Sequence, residues 1–323
     1  MIPKKSLICC ILLLSYFSGY TQANLPACGV YSQFYNQPTI EITTFGASTV
    51  EGTPKPLSFQ DPLRLFLQNC YSGKPVNMEN FGIGGETTAQ GLLRFDAAIA
   101  QKTGFLLLLM GSNDVIQIAN GTGSVTASVD NMRAMIRKAK ANNLNVILGT
   151  LQYFVELSGR TPEALLSQRR NRITDALNNA YKTLARLENV RVADINRVIG
   201  KNKALYTDNI HPNRRGYYIF GLVWFDAINQ EISANYQISA VLQNYPNPAN
   251  SSTTLGFNLS GASRVRITMY NSAGQRVAVV FDEYQNAGYH GQEIQTSQYP
   301  AGIYFLYYEF SDLKTSKKLV IYH

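Results

Sequence analysis

Thr39-Ile-Glu-Ile-Thr-Thr-Phe45-Gly-Ala-Ser48-Thr-Val-Glu-Gly52 is the stretch from which the rest of the chain is read. A run suited to a buried strand, Thr39 to Phe45, stops at two small residues and presents a serine before a second glycine turns the chain. The same arrangement recurs twice. Val76 to Phe81 leads into Asn80-Phe-Gly-Ile-Gly-Gly85-Glu-Thr87, and Phe105 to Met110 leads into Met110-Gly-Ser-Asn113-Asp114. Asn145 to Leu151 and Val190 to Asp194 complete a set of strand-like runs whose Leu, Ile and Val content predicts burial on both faces. Between them, Thr88 to Ile99, Val125 to Ala141 and Thr161 to Leu187 have helical periodicity, the last with Thr161 as N-cap and Pro162 at the first helical position. Pro212 to Ala234 forms a final helix. This alternation predicts an α/β domain, a parallel sheet covered by helices, with its site beyond the carboxyl ends of the strands.

The chemistry follows from a scarcity. His211 is the sole histidine in the first 289 residues, and it sits in Tyr206-Thr-Asp208-Asn-Ile-His211-Pro212. Imidazole is the side chain whose ordinary pKa suits it to take a proton near neutral pH. In a hydrolase this histidine is therefore the base. Pro212 steers it out of helical conformation, and Asp208 stands within reach of its ring. Ser48 can serve as a nucleophile once a base accepts its proton. Gly85, without a side chain, and Asn113, an uncharged double donor, are suited to stabilise a developing oxyanion. Each residue alone has an ordinary structural reading: Ser48 as a helix cap, Asp208 and Asn113-Asp114 as turn residues, and Gly82-Ile-Gly84-Gly85 as a dinucleotide loop. The last fails because Thr87 stands where the third glycine belongs.

Together the four segments resemble the GDSL/SGNH hydrolase superfamily of lipases and esterases over residues 38 to 232. The resemblance implies a flavodoxin-like three-layer α/β/α fold and a cofactor-free, metal-free serine hydrolase with Ser48, Asp208 and His211 as its catalytic residues. Its oxyanion hole would comprise the Ser48 N–H, the Gly85 N–H and the Asn113 amide. One departure is Ala47, which replaces the family's acidic residue before the nucleophile. Tyr153, Phe154 and a loop from Val115 to Gly123 are expected to line the substrate site.

A length of 323 residues, 45% hydrophobic and 15% charged, predicts two globular units with ample core. Residues 1–23 read as a signal peptide: Lys4 and Lys5, an apolar run from Leu7 to Phe17, then small residues up to Ala23. Cys9 and Cys10 invite a lipoprotein reading, but Ile8 is too bulky to precede a lipidated cysteine. No later segment is apolar for long enough to span a membrane. Removal of the leader takes two lysines and no acids, lowering the net charge from +8 to +6. The basic clusters Arg169-Arg170-Asn171-Arg172 and Arg214-Arg215 lie on helix-like stretches among acids, a solvated face and not a nucleic-acid footprint. The two cysteines left after cleavage, Cys28 and Cys70, are either a disulfide, as export favours, or two buried thiols.

Composition changes near Ile238, so the expected division is a catalytic domain at 24–235 and a second domain at 236–323. Short period-two segments, Arg264 to Tyr270, Val277 to Phe281, Ile303 to Tyr308 and Lys318 to Tyr322, separated by Gly, Asn and Pro, predict a small all-β sandwich. This tail resembles the C-terminal sorting domain of the Bacteroidetes type IX secretion system. The resemblance rests on Gln243-Asn-Tyr-Pro-Asn-Pro248, the run from Val265 to Val277, Pro300-Ala-Gly-Ile-Tyr304 and Lys317-Lys318. It implies handling by the type IX machinery and passage through the periplasm and outer membrane to the cell surface or the medium.

The expectation is thus a secreted serine esterase acting on an acylated polysaccharide or lipid, an O-acetyl carbohydrate esterase by preference. A lipase or thioesterase-like hydrolase and a catalytically silent binding protein on the same fold are the alternatives.

Overall fold

A computed structural model describes Pro26, Cys28, Ser32 and residues 35–235, 238–310 and 313–323. The expected signal peptide lies outside these residues. In the first domain β1 (Ile40–Gly46), α1 (Ser48–Glu51), α2 (Gln60–Cys70), β2 (Val76–Gly82), α3 (Thr88–Ile99) and β3 (Phe105–Leu109) are followed by α4 (Ser112–Ala119), α5 (Val125–Ala141), β4 (Asn145–Gly149), α6 (Pro162–Glu188), β5 (Arg191–Ala193), α7 (Ile195–Ile199) and α8 (Arg214–Asn235). The five strands are all parallel in the order β2-β1-β3-β4-β5. Helices α2 and α8 cover one face, and α3, α5 and α6 the other. This is the expected flavodoxin-like three-layer fold. Its strand order reverses between β1 and β3, the point beyond whose carboxyl ends open sheets of this kind bind ligands.

Central β3 is buried throughout, as its unbroken Phe-Leu-Leu-Leu-Leu predicts. Edge strand β2, Val-Asn-Met-Glu-Asn-Phe-Gly, is largely exposed, so the expectation of burial on both faces fails there. An edge strand lacks a neighbour on one side and keeps its polar side chains in water. Residues 115–119 continue helix α4, so only residues 120–123 of the expected Val115 to Gly123 loop form a turn. The last helix starts at Arg214 and not at Pro212. Tyr206 and Pro212 are still paired as a β-bridge, and Asn213 Oδ1 accepts from Gly216 N at 3.1 Å to cap the helix.

Helix starts elsewhere follow local chemistry. Thr161 Oγ1 accepts from Ala164 N at 3.2 Å ahead of Pro162, and Thr87 with Gln90 forms a capping box at the start of α3. A disulfide joins Cys28 to Cys70 across 42 positions. Closing a loop of that size stabilises by roughly 4 kcal/mol in the chain-entropy account.

The tail contains β6 (Ala240–Val241), β7 (Ser252–Leu259), β8 (Ser263–Asn271), β9 (Arg276–Gln285), β10 (Gly288–Gln295), β11 (Gly302–Glu309) and β12 (Lys314–Ile321). They form two antiparallel sheets, β10-β7-β6 and β12-β11-β8-β9, around Leu255, Phe257, Val265, Ile267, Met269, Leu306, Tyr308 and Leu319. Strands β7 and β10 escape the sequence reading. Asn, Gln, Gly and Thr interrupt their alternation, and partner strands supply the regularity that their own side chains lack.

Candidate active site

Ser48, Gly85 and Asn113 sit just past the ends of β1, β2 and β3, whereas Asp208 and His211 lie on the loop before α8. Ser48 opens α1 immediately after β1, and the turn between them depends on Gly46. A Cβ there would lie 2.0 Å from Leu109 O, so only glycine lets β1 pass this close to the end of β3. Gly46 O accepts from Ile83 N at 3.1 Å and from Arg94 at 3.1 Å. Arg94 also pairs with Glu86 and lies 4.2 Å over the Phe45 ring. Asn80 Nδ2 donates to Val50 O at 2.8 Å. The serine turn is thus fastened to the glycine loop from two sides. Ala47 is 7% exposed and belongs to the hydrophobic core.

Beyond β2 the chain reaches Gly85 at φ +82°, the left-handed region that favours glycine, with open space where a side chain would stand. Asn113, in the first turn of α4, donates from Nδ2 to Glu86 O at 2.8 Å and so stands against this loop. Its neighbour Asp114 is buried and accepts from Thr88 N at 2.9 Å and Ser128 Oγ at 2.8 Å, anchoring the start of α3 behind the loop.

The segment 207–212 makes a compact turn. Asp208 Oδ1 accepts from Ile210 N at 2.8 Å and His211 N at 2.7 Å, while its Oδ2 meets His211 Nδ1 at 2.7 Å. One carboxylate therefore both builds the turn and orients the ring. Burial opposes ionisation of Asp208, but the bonds from the His211 backbone, its ring and the Ile210 N–H prevail and hold the carboxyl below its ordinary pKa. On the far side of the ring, His211 Nε2 lies 2.9 Å from Ser48 Oγ. Residues 163 positions apart in sequence thus form a continuous carboxylate–imidazole–hydroxyl chain. With Nδ1 donating to Asp208, Nε2 is left to accept the serine proton.

The two expected lining residues fare differently. Tyr153 is half-buried, and its hydroxyl donates to Asp175; burial first and then this carboxylate push the phenol up to about 12. Phe154 is 2% exposed and packed in the core beneath Arg170, so it offers a substrate no surface. Its backbone is clamped by Asn171 of α6, which turns the ring inward. Sequence reasoning also missed Gln152, Arg94 and Asn80, each of which has a partner 30 or more residues away in the chain. The one available signal was Asn80, at the head of the glycine segment.

Residues 44–219, more than half of the chain, match the GDSL-like Lipase/Acylhydrolase family. Residues 243–322 match the secretion system C-terminal sorting domain, so the protein is sent to the cell surface or secreted. No helix among the described residues is long and apolar enough to cross a membrane. No curated protein matches the chain. Among solved structures, a substituted form of the acetyl xylan esterase Axe2 from Geobacillus stearothermophilus is 20% identical, with a TM-score of 0.50 over 62% of this chain and 97% of that one. A GDSL-like lipase from Bacteroides thetaiotaomicron is 23% identical, with a TM-score of 0.46 over 59% and 88%. A lipolytic G-D-S-L family protein from Veillonella parvula is 18% identical, with a TM-score of 0.47 over 58% and 97%. The fold and the family match coincide over the five-stranded domain, and the chain belongs to the GDSL-like lipase/acylhydrolase family of ester-hydrolysing enzymes, followed by a secretion sorting domain.

Proposed function

We propose that the protein is a serine esterase in which Ser48 is the nucleophile, His211 the general base and acid, and Asp208 the group that orients the imidazole. The observation that carries this reading is the chain of contacts from Asp208 Oδ2 to His211 Nδ1 at 2.7 Å and from His211 Nε2 to Ser48 Oγ at 2.9 Å. Ser48 Oγ attacks the ester carbonyl as its proton passes to His211 Nε2. The resulting oxyanion is met by the Ser48 N–H, the Gly85 N–H and the Asn113 amide. Asn113 spends one N–H on Glu86 O and keeps the second for the substrate. As the intermediate collapses, the leaving alkoxide takes the proton from His211. Water, activated by the same imidazole, then hydrolyses the acyl-serine and restores the hydroxyl.

The preferred substrate is an O-acetyl carbohydrate. The site's exposure supports this: the Asp208 side chain is 48% exposed and there is open space in front of Gly85, so a bulky alcohol can approach while a two-carbon acyl group needs little lining. A long-chain substrate would need apolar wall. Ile83, 47% exposed beside Gly84, favours a lipase instead. Turnover measured on acetylated xylo-oligosaccharides and on p-nitrophenyl esters from acetate to palmitate separates the two. Highest kcat/KM on acetyl esters is expected; a maximum at palmitate overturns the carbohydrate reading.

The division into a catalytic domain at 24–235 and a sorting domain at 236–323 belongs to the same proposal. The two domains have separate hydrophobic cores, which supports it. Truncation after Asn235, the last residue of α8, is expected to retain turnover on p-nitrophenyl acetate and to abolish export. A folded truncate without turnover would argue that the sandwich helps shape the active site.

A further inference from the structure

Gln152 lies just past β4 and is 1% exposed. Its amide nitrogen donates to Thr49 Oγ1 at 3.0 Å and to Ile210 O at 3.3 Å. These partners come from segments far apart in the chain, and each is the immediate neighbour of a residue of the proposed triad: Thr49 follows Ser48, and Ile210 precedes His211. The stem of Gln152 is itself held. Leu151 exchanges both backbone bonds with the Asn178 side chain at 2.8 and 2.9 Å, and Phe154 does the same with Asn171 at 2.9 and 3.0 Å. Val155 N adds a bond to Asn209 O at 2.8 Å, drawing the histidine turn onto the same strip. Farther along, Tyr217 Oη donates to Thr53 O at 2.7 Å and fastens α8 to the other end of the serine turn.

The donor half of a primary amide suits these two oxygens, while Gln152 Oε1 is buried and accepts no hydrogen bond from the described residues. Ile210 O is a carbonyl and can only accept, so an NH2 must face it, and the second N–H of the same group is then free to reach Thr49. A carboxylate would set two oxygens against each other, and an aliphatic chain would leave a partly buried carbonyl without this donor.

We propose that Gln152 is a positioning residue for ester hydrolysis: it holds the serine turn and the histidine turn in the register that keeps Ser48 Oγ within reach of His211 Nε2. The proposal rests on the reading of Ser48 and His211 given above. Gln152 touches no reacting atom. Its effect is on the frequency with which the nucleophile and base are aligned, and so on kcat and not on substrate binding.

The test compares variants of the full-length protein on p-nitrophenyl acetate. Gln152→Met keeps the length of the side chain and removes both donors; kcat should fall about 10- to 100-fold, the scale of a misplacement near 1 Å, with KM little changed. Thr49→Val removes the acceptor and should lower kcat in the same direction, whereas Thr49→Ser keeps the acceptor and should preserve it. The double variant of Thr49→Val with Gln152→Met should be little worse than Gln152→Met, because much of the effect of each passes through one shared bond. A folded Gln152→Met protein with wild-type kcat overturns the proposal, as does a loss confined to KM. If Gln152→Met fails to fold, the Thr49 pair decides: Val active and Ser impaired would mean that Thr49 serves packing alone. Ser48→Ala distinguishes the two levels of failure. Turnover surviving in Ser48→Ala overturns the reading of the site itself. Turnover lost in Ser48→Ala but intact in Gln152→Met overturns only the positioning role.

Discussion

Ser48→Ala and His211→Ala are each expected to abolish nearly all ester turnover, with a loss in kcat on the order of 10^6-fold where serine and imidazole act as a unit. The double variant should be little worse than either single one. Without the base the hydroxyl keeps its proton, and without the hydroxyl the base has nothing to activate, so the second loss removes a function already gone. The 2.9 Å contact between Ser48 Oγ and His211 Nε2 is the physical basis for this non-additivity. Thermal unfolding should be near wild type for Ser48→Ala, since one half-buried oxygen is removed and no core contact is broken. The measurement is kcat and KM on p-nitrophenyl acetate with a denaturation curve for each variant. Losses that multiply in the double variant would mean that the two residues act independently, and the assigned roles would fall.

Asn113→Ala should lower kcat about 100- to 1,000-fold, equivalent to roughly 2.7 to 4 kcal/mol, while KM moves little. The amide matters most after negative charge develops on the carbonyl oxygen, so its removal raises the barrier more than it weakens ground-state binding. Asn113 also bonds to Glu86 O, and the variant loses that clamp on the loop bearing Gly85. Asn113→Asp loses the same clamp and the same donor. It has nearly the same shape but no N–H to give, and it adds an anion where an anion must form, so it should be at least as impaired as the alanine variant. A tenfold rise in KM with kcat unchanged in Asn113→Ala would instead assign the amide to substrate binding, and the oxyanion hole would need other donors.

Much of this site was legible in the primary structure because its parts are local signals. Strand, small residues and serine in succession mark the turn at Ser48, and an aspartate three residues before a histidine followed by proline marks a presented imidazole. The helices from Thr88, Val125 and Thr161 declare themselves through caps and periodicity, and the observed bounds agree with the reading to within a residue at their starts. Helix α2 did not declare itself, although it buries Leu63, Phe66 and Leu67; Pro62 near its start and the glycine- and proline-rich run before it obscure the pattern. The misplacement of Phe154 has a different origin. An aromatic residue just beyond a strand end can line a crevice or fill a core with equal local propensity, and the choice was made by the Asn171 amide on α6, which grips the backbone of residue 154 and sends the ring inward.

Composition and periodicity were enough to predict the layered α/β architecture and the β-sandwich behind it, and the rarity of histidine with the family resemblance nominated the side chains proposed to bear acyl chemistry, because these depend on residue type and near-neighbour spacing. What tertiary structure alone decided was register. Contacts among Ser48, Asp208 and His211 to within a few tenths of an ångström, the covering of β3 but not β2, and the bridge from Gln152 to both turns each depend on segments separated by tens to more than a hundred residues. Hydrogen bonding is short-ranged and directional, so partners remote in the chain leave no periodic trace in it, and only the packed sheet brings them within reach.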